Sequence, residues 1–363
     1  DKKSRNIIRK LHRQNPDASI YVTGCYAQLK KAEIEAIEGV TAVFGATEKS
    51  LIVPTILAQT KGREFCDRDM STFFPAYSSG ERTRSFLKVQ DGCDYKCHYC
   101  TVPYARGESR NIPISEIIPQ AEAIAVEGIK EIVLTGVNTG DFGKSTGETF
   151  FELIRHLNDV EGIERYRISS IEPNLLTEEM IDWITSGTKF LPHYHIPLQS
   201  GCDTILHEMG RRYDTAAFAD KIRYIREKTE TAGGPKVFFG IDVIVGFPGE
   251  TDELFMETYN FLKDVVKPAF IHIFPYSRRA GTPAAARKDQ VQDSKKTERV
   301  QMLEELSARL HEEFILSNKG VKEKVLFEST DRHGMMEGYT GNYIRVSRPY
   351  DQALIGNIVD VTL

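Results

Sequence analysis

A chain of 363 residues is longer than one hydrophobic core usually supports, so two or three domains are expected. Its 40% hydrophobic and 27% charged residues exclude a disordered chain, and no apolar run nears the roughly 20 residues of a membrane helix. A formal net charge of −5 excludes a protein coated in basic surface, and leaves any nucleic-acid contact to local patches. The basic, polar start "DKKSRNIIRKLHRQNPD" has no apolar stretch and reads as no secretory signal. It also begins at Asp1 rather than Met, which predicts that an N-terminal part is missing. Of six cysteines, three crowd into residues 93–100; that is no disulfide framework and fits a reducing cytoplasm.

Residues 1–75 alternate helix and strand signals. "SRNIIRKLHRQ" is helical, "ASIYVTG" a strand, "KKAEIEAIEG" a helix stopped by Gly39, and "VTAVFG" a second strand. "EKSLIVPTILAQ" reads as a further helix that Pro54 must begin or bend. This is a small α/β unit with parallel pairing as the default. A turn-rich linker is expected over residues 66–84.

From residue 85 the alternation is regular. "SFLKVQ", "EIVLTGV", "RYRISSI", "HYHIPLQ", "VFFGIDVIVGF" and "FIHIFPY" read as strands. Amphipathic helices are predicted over 114–128, 148–158, 177–185, 202–209, 214–231 and 251–266. Six βα repeats predict a partial parallel barrel, with chemistry at the carboxyl ends of its strands. Residues 292–320 then read as one long helix with a Gly stop. "EKVLFES", "MMEGYTGNYIRVSR" and "ALIGNIVDVTL" follow as short strands of a small β-barrel. The expected domains are 1–75, 80–300, a linker helix 301–318, and 319–363.

"DGCDYKCHYC" follows the first barrel strand and spaces its thiols Cys93-x3-Cys97-x2-Cys100. Structural zinc wants four ligands, and His98, between Cys97 and Tyr99, is badly placed to be the fourth. Thiolate ligation of an iron–sulfur cluster remains, with three thiolates leaving one iron open to another ligand. Cys66 and Cys202 have no partner spacing and receive no role.

With its aromatic before the last cysteine, this loop resembles that of the radical SAM superfamily. "VQDGCDYKCHYCTVPYARG", "LTGVNTGDFG", "HIPLQSGCD", "MGRRYD" and "DVIVGFPGETDELF" occur in order, and together they resemble the methylthiotransferases of that superfamily. The resemblance spans the whole chain and implies an N-terminal methylthiotransferase domain, here incomplete, a radical SAM partial (β/α)6 barrel and a C-terminal TRAM domain. "GVNTGDFG" with "VQDGC" is similar to the subgroup acting on threonylcarbamoyladenosine in tRNA. Relatives acting on isopentenyl-adenosine in tRNA or on a ribosomal protein stay open as alternatives. So does a non-catalytic RNA-binding protein with a structural metal clasp.

The resemblance implies the following roles. Cys93, Cys97 and Cys100 ligate a [4Fe-4S] cluster whose open iron takes S-adenosylmethionine (SAM). Tyr99, Gly136, Asn138, Ser170, Glu172, Gln199, Arg211, Val245 and Gly246 bind that cofactor, with Arg211 matched to its carboxylate. Gly136 and Asn138 stand where the superfamily binds the methionine amino group. Cys25, in "YVTGCYAQ", matches the third ligand of an auxiliary cluster, so its two companions are expected upstream of Asp1. The chain by itself is therefore expected to hold one cluster and the intact protein two. His193 and His195 read as core or supporting histidines rather than metal ligands.

Lys324, Arg345 and Arg348, with Phe327, Tyr339 and Tyr343, are the expected RNA-binding face. Residues 319–363 hold six Lys/Arg and six Asp/Glu, so that face draws no support from net charge. One SAM is expected to methylate sulfur at the auxiliary cluster and a second to be cleaved reductively, so that the radical takes hydrogen from adenine C2. The base must leave its stack in the tRNA to be reached. Implied partners are tRNA and a one-electron reductant such as flavodoxin or ferredoxin, with no membrane and a monomeric enzyme.

Overall fold

The computed structural model describes residues 2–45, 48–59, 73–78 and 83–363, and these gather into two units. The first comprises Asp1–Phe74, Asp91–Lys96 and Cys100–Arg110; the second comprises Pro75–Gln90, Cys97–Tyr99 and Asn111–Leu363. Cys66 and most of the expected linker 66–84 lie outside the described residues.

In the first unit, helix α1 (Lys2–Gln14) precedes strand β1 (Ile20–Thr23), and the short helices α2 (Cys25–Leu29) and α3 (Lys31–Glu35) lead to β2 (Val40–Phe44). β1 and β2 pair in parallel, with Val22 opposite Val43, as the alternation predicts. Ile8, Ala27, Ile34, Ile37 and Val43 close a small core between them. A 3-10 turn then leads into α4 (Ile52–Gln59), where Pro54 falls in the first turn and costs no hydrogen bond. Helix α5 (Val102–Arg106) packs against α2. α2 is absent from the sequence reading, because five residues show too little periodicity to mark a helix.

The second unit is the barrel. Its strands are β3 (Arg84–Lys88), β4 (Glu131–Thr135), β5 (Arg165–Ile168), β6 (His193–Gln199), β7 (Phe238–Val245) and β8 (Phe270–Pro275). β3-β4-β5 and β6-β7-β8 form two parallel three-stranded sheets. Parallel bridges Tyr166–Phe190 and Ser170–His195 join them, so the six strands follow one another in chain order. Connecting helices α6 (Ile114–Val126), α7 (Phe150–Asn158), α8 (Glu178–Ile184), α10 (Thr215–Thr229) and α11 (Asp252–Asn260) contribute to the main core with the sheets, and α9 (Asp203–Glu208) places Ile205 in a smaller cluster with Ile244 of β7.

Side chains start several of these helices where the sequence expects them. Thr149 and Glu152 form a reciprocal capping box for α7, and Thr177, Asp214 and Thr251 cap α8, α10 and α11. The last predicted helix is divided: after α11 a π-helical turn, Phe261–Val266, ends at Lys267 with φ 44°.

A short helix α12 (Pro283–Ala286) precedes the long α13 (Asp293–Ser317), whose Leu303, Leu306 and Leu310 join the barrel core. The C-terminal strands are β9 (Lys322–Arg332), β10 (Met335–Thr340), β11 (Arg345–Pro349) and β12 (Ile358–Thr362). They form an antiparallel half-barrel in the order β11-β10-β9-β12. Buried arginines tie it to the barrel: Arg167 donates to the Gly341 and Thr340 carbonyls, and Arg165 to those of Lys324 and Tyr339. No helix among the described residues is long and apolar enough to cross a membrane.

Candidate active site

The cysteine loop leaves the carboxyl end of β3. In the first unit, Asp91 and Arg110 exchange backbone bonds of 3.0 and 2.8 Å. The Asp91 carboxylate meanwhile receives Arg106 and Arg110, each at 3.1 Å. Gly92 is required between them: its φ is +72°, and a Cβ there would lie 1.9 Å from the Glu108 carbonyl oxygen. Cys93 Sγ accepts from Tyr95 N, and Cys100 Sγ from Val102 N, each at 3.4 Å.

In the second unit, the Cys97–Tyr99 segment is fixed through His98. Its amide donates to the Met209 carbonyl and its carbonyl accepts from Ala284 N, both at 3.0 Å. The His98 ring turns to the Glu208 carbonyl at 2.7 Å.

Arg211 is the centre of this part of the site. Its Nη1 donates to Cys97 Sγ at 3.1 Å and to Tyr99 Oη at 3.3 Å; Nε and Nη2 reach Tyr213 Oη at 3.1 and 3.0 Å, and Nη2 also binds Glu172. Burial works against the Arg211 cation, but Tyr213, Tyr99 and Glu172 outweigh it and hold the guanidinium charged well above its ordinary range. Two residues that the sequence assigns separately to SAM, Glu172 and Arg211, are thus partners of each other. Tyr213 was not singled out; it sits in the quoted "MGRRYD" and ties Arg211 to β6 by donating to the Pro197 and Leu198 carbonyls.

At the end of β4, Gln90 Oε1 accepts from Val137 N and Asn138 N at 2.9 and 3.0 Å and shapes the turn. Asn138 is 3% exposed, yet neither its Nδ2 nor its Oδ1 has a hydrogen-bond partner among the described residues. A buried, unpaired amide of this kind costs about 1–3 kcal/mol and calls for a ligand. Ser170 supplies its carbonyl to Thr139 N and Oγ1 and bridges to His195. Gln199 ends β6 at φ 71°, a strained conformation for a side chain at a strand end. The Val245 carbonyl accepts from Tyr276 N, and Gly246 N donates to Glu250 at 2.6 Å.

Cys25 opens α2, directly after Gly24 with φ 117°. Burial disfavours the Arg106 cation, but hydrogen bonds to Cys25 and Asp91 more than compensate and raise its pKa. Cys202 is buried with Ile205 and Met209 in a small apolar cluster.

The two strand histidines part company. His193 stacks on Phe238, and burial, with the nearby Arg167 charge, holds it well below its ordinary pKa. His195 Nε2 lies 2.7 Å from Asp242 Oδ1, and its ring stacks on His272. Ligand atoms of His195, Asp242 and His272 all fall within 4.8 Å of one another, a set suited to a metal ion. The sequence reading missed Asp242 and His272 because they lie on two later strands, β7 and β8.

The expected RNA-binding residues do not share one face of the sheet. Cross-strand register sets Arg345 beside Tyr339 and Arg348 beside Met336. Three residues apart on one strand, the two arginines therefore point to opposite faces. Phe327 is fully buried under Arg348, and Tyr339 and Tyr343 stack on Arg84 of the barrel. Lys324 is exposed on β9.

In the second unit, the Cys97 thiol with its guanidinium donor and the buried Asn138 amide at a strand end fit a thiolate-bound cluster and its SAM; in the first, Cys93 and Cys100 of the same loop each take a backbone N–H donor. Hydrogen bonds to ligand sulfurs are among the means by which proteins tune such clusters. The barrel and loop define a radical SAM protein, and the Radical SAM superfamily profile matches residues 87–262.

Two kinds of relative then carry the classification further. Threonylcarbamoyladenosine tRNA methylthiotransferase MtaB of Bacillus subtilis (strain 168) is 41% identical over 382 aligned residues, which cover 100% of this chain and 82% of the relative. The tRNA-2-methylthio-N(6)-dimethylallyladenosine synthase of Pelobacter propionicus is 34% identical, over 97% of this chain and 81% of the relative. The chain belongs to the radical SAM methylthiotransferase family. In fold it is similar to the radical SAM methyltransferase TsrM from Kitasatospora setae, with a TM-score of 0.56 at 16% identity over 78% of this chain and 60% of that one.

Proposed function

We propose that the protein adds a methylthio group to C2 of N6-threonylcarbamoyladenosine in tRNA. The substrate comes from similarity to MtaB proteins, five of which match at 34–41% identity over most of this chain. The chemistry is carried by one observation: Arg211 joins Cys97 and Tyr99 of the cysteine loop to Glu172 at the carboxyl ends of the barrel strands.

Cys93, Cys97 and Cys100 would hold the [4Fe-4S] cluster, which supplies the electron that cleaves SAM. Asn138, with its free buried amide, and Gly136 would receive the methionine end of SAM. Gly136 leaves that end open, since a Cβ there would sit 2.9 Å from Gln90 Oε1. Arg211 would orient Cys97 and, through Glu172, the ribose side of the cofactor, with Ser170 and Gln199 closing the same end. Val245 and Gly246 offer flat backbone to the adenine.

Cys25 is assigned to an auxiliary cluster that holds the transferred sulfur, the role of the unit within residues 1–75. Residues 80–300 house the radical chemistry, and 319–363, through the helix 301–318, hold tRNA with Lys324, Arg345 and Arg348. The enzyme works as a cytoplasmic monomer fed by a small one-electron reductant. Deleting the gene should remove 2-methylthio-N6-threonylcarbamoyladenosine from hydrolysed tRNA and leave its unmethylthiolated precursor. Loss of a methylthiolated isopentenyl-adenosine instead would reassign the substrate.

A further inference from the structure

Inside the barrel, below the strand ends that carry the proposed SAM residues, lies a cavity of about 510 Å³. Its described walls hold three arginines and four histidines but neither an aspartate nor a glutamate. Five of these seven groups are already engaged. Arg84 is paired with Glu328 at 2.5 Å, Arg167 with Glu131 at 2.8 Å and His195 with Asp242 at 2.7 Å, while His193 stacks on Phe238 and His311 Nδ1 lies 3.0 Å from the Ala269 carbonyl oxygen.

Two groups remain available. His272 makes no hydrogen bond to any described residue; it only stacks on His195 and meets the edge of Phe270. Arg345 has a side chain 62% exposed and a single carboxylate contact, Glu337 at 3.3 Å, which leaves most of its five donors unused. The same walls present Phe86 and Phe270, each 39% exposed, an unusual state for barrel phenylalanines and a stacking surface for a base. Val133 lines the cavity and Gly136 lies three residues further along. At about 3.3 Å per strand residue, that separation is about 10 Å, close to the length of a nucleobase with an N6 substituent.

We propose that this cavity receives the target adenine, with Phe86 and Phe270 against the base and His272 and Arg345 binding the carboxylate of its threonylcarbamoyl group. The assignment rests on the methylthiotransferase reading and names the residues that select among tRNA adenines. A carboxylate accepts hydrogen bonds only, so a cavity with spare donors and no acid on its described walls is its complement. An adenine without that group leaves the donors unpaired, which costs binding.

The test uses the cluster-loaded full chain and anticodon stem-loop RNAs that differ only in N6-threonylcarbamoyladenosine or plain adenosine at the target position. Wild type should bind the first at least roughly tenfold more tightly, as one charge-assisted contact allows. His272→Phe and Arg345→Ala should each bring that ratio towards one, while His272→Gln, which keeps an N–H donor, should retain most of it. Full discrimination by both His272→Phe and Arg345→Ala would overturn the cavity assignment alone. A wild-type protein unable to tell the two RNAs apart would overturn the substrate reading with it. One zinc per wild-type chain, lost with His272→Phe while discrimination persists, would also overturn the assignment and give the His195, Asp242 and His272 trio to a metal.

Discussion

Arg211 Nη1 lies 3.1 Å from Cys97 Sγ while Nη2 of the same guanidinium binds Glu172, so one planar group couples the cysteine loop to the end of the third barrel strand. A lysine cannot reproduce that fork, because its ammonium is a single point of charge on a flexible stem. Arg211→Lys should lower reductive SAM cleavage by at least roughly tenfold, the loss of one charge-assisted bond. Formation of 5′-deoxyadenosine at the wild-type rate would show that this coupling is not used.

The junction between barrel and C-terminal half-barrel rests on Glu131. It pairs with Arg167 at 2.8 Å, Arg165 at 3.5 Å and Arg84 at 3.8 Å, all with side chains 16% exposed or less. Glu131→Gln leaves Arg165 and Arg167 without their paired anion, while Arg84 keeps Glu328, and should cost about 3–5 kcal/mol, read from urea unfolding at neutral pH. Burial alone would raise the Glu131 pKa, but Arg167, Arg84 and Arg165 overcome it and hold the folded value below the ordinary one. Its stabilising contribution is therefore complete above the unfolded value of about 4.3 and is lost as pH falls from there through the folded value. Glu131→Gln should flatten the acid limb of the stability curve in that window; an unchanged limb would assign it to other carboxylates.

Gly246 directly follows β7 at φ +73°, and a Cβ there would lie 2.3 Å from Lys296 Cγ on α13. Gly246→Ala pays about 1–2 kcal/mol for the left-handed backbone and must also displace Lys296. A melting midpoint lowered by several degrees is expected, at roughly 2–4 °C per kcal/mol for a chain of this size. An unmoved midpoint would mean that the turn relaxes without cost.

Much of this arrangement is legible in the sequence because it is local. The barrel strands are short runs rich in β-branched or aromatic residues, four of the connecting helices begin at a Thr or Asp cap, and the three thiols are neighbours in one loop. What escapes is set by contacts between distant segments. Nothing near "FIHIFPY" shows that His272 will stack on His195, a pairing made by two parallel strands on either side of β7. Asn138 is quoted in a motif, but its empty hydrogen bonds appear only once Gln90 has taken the neighbouring amides. Composition likewise groups Arg345 with Arg348, where strand parity separates them.

Cys25 separates the two halves of the proposed chemistry. Cys25→Ala removes a thiol of the first unit that helps hold the Arg106 cation, and none of the three cysteines assigned to the radical cluster. In the intact protein, with both clusters, uncoupled SAM cleavage should persist in this variant while methylthiolation of tRNA disappears. Methylthiolation at the wild-type rate would remove Cys25 from the reaction.

The cysteine loop carries the central claim, and its sharpest test is the fate of SAM in anaerobically reconstituted protein given a chemical reductant and tRNA bearing N6-threonylcarbamoyladenosine. The wild-type protein should form 5′-deoxyadenosine, and Cys93→Ala, Cys97→Ala and Cys100→Ala should each form none, because a cluster deprived of one of three thiolates loses its anchor. Undiminished 5′-deoxyadenosine from the Cys97→Ala protein would contradict the account.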